Sequence, residues 1–176
     1  MTEALASLEP KPLWHHFEQL CAIPRPSKKE GKAAADVLAL ARSWGLQARL
    51  DDVGNVIVKK PATPGMEGRR TAVLQAHLDM VPQRTPESKH DFERDPIEPR
   101  IDGQAVRANG TTLGADNGIG VATALAVLQS KDLAHGPIEA LFTVDEETGM
   151  SGANGLKQGL LSGDLLLNLD SEDEGE

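Results

Sequence analysis

The stretch LQAHLDMVP, residues 74–82, decides the fold that this sequence predicts. It closes the mostly apolar run 71–79, which is typical of a strand in the centre of a sheet. His77 and Asp79 interrupt the apolar pattern near the end of the run. Because residues two apart on a strand lie on the same side, the imidazole and the carboxylate can point together beyond the sheet edge. The stretch therefore predicts a polar site at the end of a buried strand.

Strands and helices alternate around this run. The apolar patterns predict helices at 12–22 and 28–44, a loop turning into a helix at 114–130, and strands at 46–52, 55–60, 71–79, 137–147 and 164–170, the last of them buried. Ser27 and Glu30 have the S-x-x-E spacing of a capping box at the start of the second helix. The alternation predicts an α/β fold with a mixed, mostly parallel central sheet flanked by helices.

Acidic residues end two of the predicted strands and precede one of the predicted helices. Glu146 and Glu147 end the run 137–147, Asp170 ends the run 164–170, and Asp116 lies in the Gly-rich turn that opens the segment 114–130, before its helix. Ligands of open α/β sheets bind beyond the carboxyl ends of the strands. We therefore expect these carboxylates to converge with His77 on one site.

A cluster of this composition favours divalent metal ions. Crowded carboxylates raise one another's pKa, and a cation removes that conflict. One imidazole with several carboxylates suits zinc, manganese or cobalt. Two ions about 3.5–4 Å apart can clamp and activate a water molecule, and a neighbouring acid can take its proton.

Each of these residues also has an ordinary structural interpretation. Asp116 could be a helix N-cap, Glu146 and Glu147 a solvated strand end, and Asp170 the start of the acidic run DSEDEGE. His77 could be a hydrogen-bonded core histidine. The metal site is favoured because all of them lie next to buried elements.

Composition excludes other classes of function. A net charge of −9 argues against a phosphate-binding surface for nucleic acid and against binding to anionic membranes. The motif G-x-G-x-x-G of dinucleotide folds fails because Thr123 occupies the place of its last glycine. The single Cys21, the lack of a signal-like N-terminus and the lack of a long apolar run predict a cytoplasmic protein.

Four segments, AHLDMV (76–81), LGADNGIG (113–120), DEETGMSGA (145–153) and LNLDSEDEGE (167–176), resemble the aminoacyl-histidine (Xaa-His) dipeptidases. These are two-metal hydrolases related to carnosinases and to acetylornithine and succinyl-diaminopimelate deacylases. The resemblance implies the fold of the zinc aminopeptidases. It also implies hydrolysis of dipeptides, preferentially carnosine-like Xaa-His dipeptides, by a metal-activated water.

The resemblance also implies a role for each site residue. Two divalent metal ions, zinc with cobalt or manganese as alternatives, would be held by His77, Asp116 as the bridging carboxylate, Glu147 and Asp170. Asp79 would orient the imidazole, and Glu146 would be the general base. A cis peptide bond between Asp116 and Asn117 is also implied.

Members of this family are longer than 176 residues. They carry a lid and dimerisation domain and a later metal-binding histidine, whereas no histidine follows His135 here. We therefore expect residues 1–176 to be the N-terminal part of a catalytic domain, inactive or nearly so alone, and the intact protein to be a homodimer. Three alternatives stay open: a deacylase or carboxypeptidase on the same scaffold, a non-catalytic metal-binding fragment, and replacement of the later ligand by His15, His16, His90 or His135.

Overall fold

The computed structural model describes residues 4–170. Its helices are α1 (Lys11–Cys21), α2 (Gly31–Ser43), α3 (Ala115–Gln129), α4 (Glu146–Gly149) and α5 (Ser151–Asn154). Its strands are β1 (Gln47–Leu50), β2 (Val56–Lys60), β3 (Ala72–His77), β4 (Pro99–Asp102), β5 (Ala105–Ala108), β6 (Ile138–Thr143) and β7 (Leu165–Asn168). Within residues 4–170, no helix has the length and hydropathy required to cross a membrane.

The central sheet has the strand order β1-β2-β6-β3-β7. β1 and β2 form an antiparallel hairpin, and β2 is also antiparallel to β6. β3 pairs in parallel with both β6 and β7. Four of the five strands consequently run in one direction and only β2 runs against them. This confirms the prediction of a mixed, mostly parallel sheet, and β4 and β5 form a separate hairpin.

The main core lies between one face of the sheet and the helices α2 and α3. Alternate strand residues such as Val58, Leu74 and Phe142 point into it because side chains alternate between the faces of a strand. The opposite face, with Ile57 and Val73, is covered by leucines from the segment 156–161. α3 is buried on most of its surface, as its apolar sequence predicts.

The start of α2 differs from the predicted capping box. Glu30 is the N-cap residue and no side chain caps the helix. Lys28 has a left-handed φ of 68°. The N–H of Ser27 donates a hydrogen bond to the carbonyl of Met80. The carboxylate of Glu30 accepts the N–H groups of Lys28 at 2.7 Å and Asp145 at 3.0 Å. Glu30 therefore ties α2 to the turn after β6.

β7 differs from the predicted buried strand. Leu165, Leu166 and Leu167 are 39%, 63% and 51% exposed. Within residues 4–170, β7 pairs with β3 alone and forms an edge of the sheet. Three consecutive leucines thus predicted a buried strand, but their side chains are largely exposed at the edge of the sheet.

Candidate metal centre

The site lies where three parallel strands end together. His77 is the last residue of β3 and pairs with Thr143 at the end of β6. Gln75 pairs with Asn168 of β7, so Asp170 follows at the level of His77. The parallel register therefore brings residues from distant parts of the chain to one sheet edge, as predicted.

His77, Asp116 and Asp170 form a group whose possible ligand atoms all lie within 4.8 Å of one another. The Nε2 atom of His77 lies 2.9 Å from the Oδ1 atom of Asp116 and 3.7 Å from that of Asp170. The imidazole is buried, whereas the side chain of Asp116 is 52% exposed. The group can thus hold a cation between a rigid imidazole and carboxylates that reach the solvent.

Asp79 is buried behind this group. Its Oδ1 atom lies 3.3 Å from the Nδ1 atom of His77, which leaves Nε2 for the two other carboxylates. The same Oδ1 accepts the N–H of Glu146 at 3.0 Å, and Oδ2 accepts the N–H of Glu147 at 3.1 Å. Burial alone would raise the pKa of Asp79, but the imidazole and these N–H groups lower it to about 2. Asp79 is therefore an anion that links His77 to the pair of glutamates.

Glu146 and Glu147 do not end a strand, as the sequence pattern predicted. β6 ends at Thr143, and the two glutamates open the short helix α4. Asp145 has a left-handed φ of 53°, and its carboxylate accepts hydrogen bonds from the hydroxyls of Thr148 and Ser151. These contacts turn the chain away from the sheet. The glutamate main chain meets Asp79, while neither carboxylate belongs to the group of three possible ligands.

The pKa shifts of the cluster reflect burial and the crowding of negative charge. Burial opposes protonation of His77, but contacts with Asp79 and Asp116 outweigh it and raise the imidazole pKa to about 9. The pKa of Glu146 and of Glu147 is raised by burial and by the neighbouring carboxylates. A cation at this place would relieve the repulsion.

Asn117 is a site residue that the sequence reasoning did not single out. It follows Asp116 through the cis peptide bond that the resemblance implies. Its Nδ2 donates to the carbonyl of Leu169 at 2.8 Å and to Oδ1 of Asp170 at 2.9 Å, which fixes the end of β7 against the start of α3. A Cβ on Gly120 would lie 2.3 Å from the Oδ1 of Asn117. The glycines of GADNGIG were the available signal.

Arg25 is a second residue that was missed. Its guanidinium is buried and donates to the main-chain carbonyls of Leu78, Asp79 and Gly114. No motif in the sequence indicates this role, because its partners are backbone groups far along the chain.

The remaining histidines lie apart from the group. His16 bonds the side chain of Gln129 at 2.9 Å, His135 bonds the carbonyl of Gly136 at 2.7 Å, and His90 packs against Phe92. Among the residues that the structure describes, none of them joins His77 in a group of possible metal ligands. Replacement of a later histidine by His15, His16, His90 or His135 thus has no support in residues 4–170.

Comparisons with known proteins agree with this fold. The cytosol non-specific dipeptidase of Escherichia coli (strain K12) is 54% identical over 172 residues, which cover 98% of this chain and 36% of that protein. The solved structure of an aminoacylhistidine dipeptidase from Vibrio alginolyticus matches with a TM-score of 0.95 and 57% identity, over 97% of this chain and 35% of that one. An aminopeptidase PepT structure from Bacillus cereus ATCC 10987 matches with a TM-score of 0.78 and 27% identity, over 93% of this chain and 44% of that one.

The chain spans about a third of the length of the first two relatives. The family model described as "Peptidase family M20/M25/M40" matches residues 73–172, which is more than half of the chain and includes all six predicted site residues. The resemblance drawn from the sequence motifs is thereby confirmed, and the chain belongs to the peptidase family M20/M25/M40.

Proposed function

We propose that this protein hydrolyses dipeptides with the help of divalent metal ions bound at the edge of the central sheet. The observation that carries this proposal is the group formed by His77, Asp116 and Asp170, whose possible ligand atoms lie within 4.8 Å of one another. The names of the two most similar relatives described above, both dipeptidases, support the reaction class.

The side chains of the site fit a divalent cation. The imidazole of His77 is buried, with its Nδ1 atom beside Asp79 and its Nε2 atom directed at carboxylates. Metal-binding histidines require this arrangement, in which one ring nitrogen is held by a carboxylate and the other is left for the metal. In the proposal, His77 and Asp170 would hold one ion, Glu147 would hold a second, and Asp116 would contribute to both. We propose zinc, with cobalt or manganese as alternatives, because the donors are imidazole nitrogen and carboxylate oxygen.

A bound ion supplies polarisation of the peptide carbonyl and lowers the pKa of a water molecule. The residues of the chain supply orientation and proton transfer. Asp79 keeps the Nε2 atom of His77 directed towards Asp116 and Asp170. The carboxylate of Glu146 takes a proton from the attacking water and returns it to the amine nitrogen that leaves. The raised pKa of Glu146 supports this role, since a base of higher pKa accepts a proton more readily.

The preference for Xaa-His dipeptides is the finer part of the proposal. One relative is named a non-specific dipeptidase and the other an aminoacylhistidine dipeptidase, so both broad and narrow selectivity occur among similar proteins. We propose preferential cleavage of carnosine-like substrates, in a protein located in the cytoplasm. The name of the Escherichia coli relative supports the location.

We further propose that these 176 residues supply the N-terminal part of a catalytic domain. Their coverage of about a third of the length of the two dipeptidases described above supports this division. Dimerisation through a lid domain belongs to the same proposal, as does the expectation that residues 1–176 have little or no activity by themselves.

Two measurements test the function. Calorimetric titration with Zn²⁺ should show binding that His77→Ala abolishes and that His15→Ala, on the exposed surface of α1, leaves intact. Hydrolysis by the whole protein should then be compared for β-alanyl-histidine, alanyl-histidine, alanyl-alanine and an N-acetylated amino acid. Faster cleavage of the histidine dipeptides is expected. Cleavage of only the acetylated compound would indicate a deacylase, and zinc binding without any hydrolysis would indicate a non-catalytic metal-binding protein.

A further inference from the structure

Arg25 carries a charge that the packing of the protein does not require. It is 1% exposed, and burial lowers its pKa to about 10, which leaves it protonated at neutral pH. Among the described residues, no carboxylate lies within ion-pair distance of the guanidinium, and its Nε atom has no hydrogen-bond partner. Burying an unpaired charge is costly, so an apolar residue would be expected if only volume were needed.

All the hydrogen bonds of Arg25 go to the main chain beside predicted metal ligands. Nη1 donates to the carbonyls of Leu78 at 2.9 Å and Asp79 at 3.1 Å, immediately after His77. Nη2 donates to the carbonyl of Gly114 at 2.6 Å, two residues before Asp116. The planar fork of a guanidinium fixes the directions of its donors. One rigid group therefore sets the distance between two segments that are far apart in sequence.

The loop before α3 leaves space for this group. A Cβ on Gly114 would lie 2.6 Å from the Nη2 of Arg25, and a Cβ on Gly118 would lie 2.7 Å from the same atom. Both distances are too short for any side chain larger than that of glycine. The carbonyl of Gly114 also accepts the N–H of Gly118 at 3.1 Å. The glycines of GADNGIG are thus explained partly by the close approach of Arg25.

We propose that Arg25 is a positioning residue of the metal centre, whose guanidinium holds the chain after β3 and the loop carrying Asp116 at the separation that metal binding requires. The inference rests on the proposed metal site and adds a residue to it. Arg25 touches no ligand atom, and it acts through the main chain of the residues beside the ligands. A lysine cannot replace it fully, because a single ammonium lacks two separately directed nitrogens.

The test compares Arg25→Met and Arg25→Lys with a matched control, Lys60→Met. Lys60 also donates to two main-chain carbonyls, those of Val127 and Ser130, but it lies at the end of β2 opposite to the metal centre. The dissociation constant for Zn²⁺ is measured by calorimetry below the unfolding transition of each variant. Amide hydrogen exchange of metal-free protein is measured at Glu146 and Glu147, which report on Asp79.

Zinc affinity should fall by about 10–100-fold in Arg25→Met, the range found when groups that orient metal ligands are removed. Arg25→Lys should fall between this value and the wild type, and Lys60→Met should bind zinc as the wild type does. Exchange at the two glutamates should accelerate in the Arg25 variants alone. Wild-type zinc affinity in both Arg25 variants would overturn the proposal, whatever the stability of the variants. If Arg25→Met does not fold, the zinc affinity of Arg25→Lys decides.

If the wild type binds no zinc, the proposed metal site fails, and amide exchange alone tests the role of Arg25. Unchanged exchange at Glu146 and Glu147 in the Arg25 variants would then overturn that role.

Discussion

Asp79 Oδ1 lies 3.3 Å from the Nδ1 of His77 and also accepts the N–H of Glu146 at 3.0 Å. One buried oxygen therefore contacts both the proposed metal-binding imidazole and the main chain of the proposed base. This relationship requires β3 and the turn after β6 to lie side by side, which their parallel pairing provides.

Replacement of Asp79 by Asn should destabilise the fold. An amide has one acceptor oxygen, so the two N–H groups of Glu146 and Glu147 cannot both keep their partner. We expect a loss of about 1–3 kcal/mol in the free energy of unfolding, since a buried donor is left unsatisfied, and weaker zinc binding. Urea denaturation measures the first quantity and calorimetry the second.

Asp102→Asn is the control for this change. Asp102 is half-exposed and pairs with Arg100 and Arg107 on the surface hairpin β4–β5. Its loss should change stability by less than about 1 kcal/mol. Equal effects of the two substitutions would contradict the role given to Asp79.

The stability of the metal-free protein should fall as pH rises from 6.5 to about 9. The pKa of His77 is raised from 6.5 to about 9 in the folded chain. Protonated His77 therefore stabilises the fold fully below pH 6.5, and that contribution is lost as pH rises through 9. Zinc must displace this proton, so zinc affinity should increase over the same range.

Unfolding of wild type and His77→Gln in the presence of a chelator measures this effect. The difference between their free energies of unfolding should shrink between pH 6.5 and 9. A difference that stays constant across this range would show that His77 is not protonated in the folded metal-free protein.

Much of this arrangement could be predicted from the sequence. The apolar runs that end at His77 and Asp170 indicated which residues lie at one sheet edge, because parallel strands end together. The pattern predicted a strand that includes Glu146 and Glu147 and did not predict the short helix there. That helix depends on the side chain of Asp145, which accepts hydrogen bonds from hydroxyls three and six residues later. Arg25 was missed because its partners are carbonyls 53, 54 and 89 residues away, and main-chain partners leave no mark on residue type.

The burial of β7 was predicted wrongly for a different reason. The three leucines at 165–167 are typical of a central strand. Hydropathy indicates that a segment favours burial, but it does not show whether another element packs against that segment. Within the described residues, no strand pairs with the outer edge of β7.

Gly114→Ala should destabilise the protein more than Gly65→Ala does. Both glycines have positive φ, 70° and 85°, so each alanine bears the cost of a left-handed conformation, about 1–2 kcal/mol. A Cβ at residue 65 meets nothing within 4 Å, whereas a Cβ at residue 114 would lie 2.6 Å from the Nη2 of Arg25 and 2.8 Å from the Sδ of Met80. Overpacking adds about 1–3 kcal/mol at residue 114 only.

Thermal and urea unfolding of both alanine variants provide the comparison. Subtracting the effect of Gly65→Ala from that of Gly114→Ala removes the backbone cost and leaves the contacts with Arg25 and Met80. Equal losses of stability in the two variants would show that both side chains can move aside without consequence.

Glu146→Gln and Glu147→Gln should separate the base from the ligand. Loss of a general base lowers the rate of hydrolysis by about 10²–10⁴-fold, so Glu146→Gln should reduce kcat of the whole protein and leave zinc affinity unchanged. Glu147→Gln should weaken zinc binding and lower activity with it. Loss of zinc binding in Glu146→Gln would contradict the assignment of the two roles.

We propose that His77, Asp116 and Asp170 bind a metal ion together. Anomalous scattering at the zinc absorption edge, from crystals grown with Zn²⁺, measures this most directly. Strong anomalous peaks are predicted beside the Nε2 of His77 and the carboxylates of Asp116 and Asp170, with a second peak near Glu147. Well-ordered crystals with no peak within coordination distance of His77, or with zinc only at surface histidines, would contradict the proposed metal site.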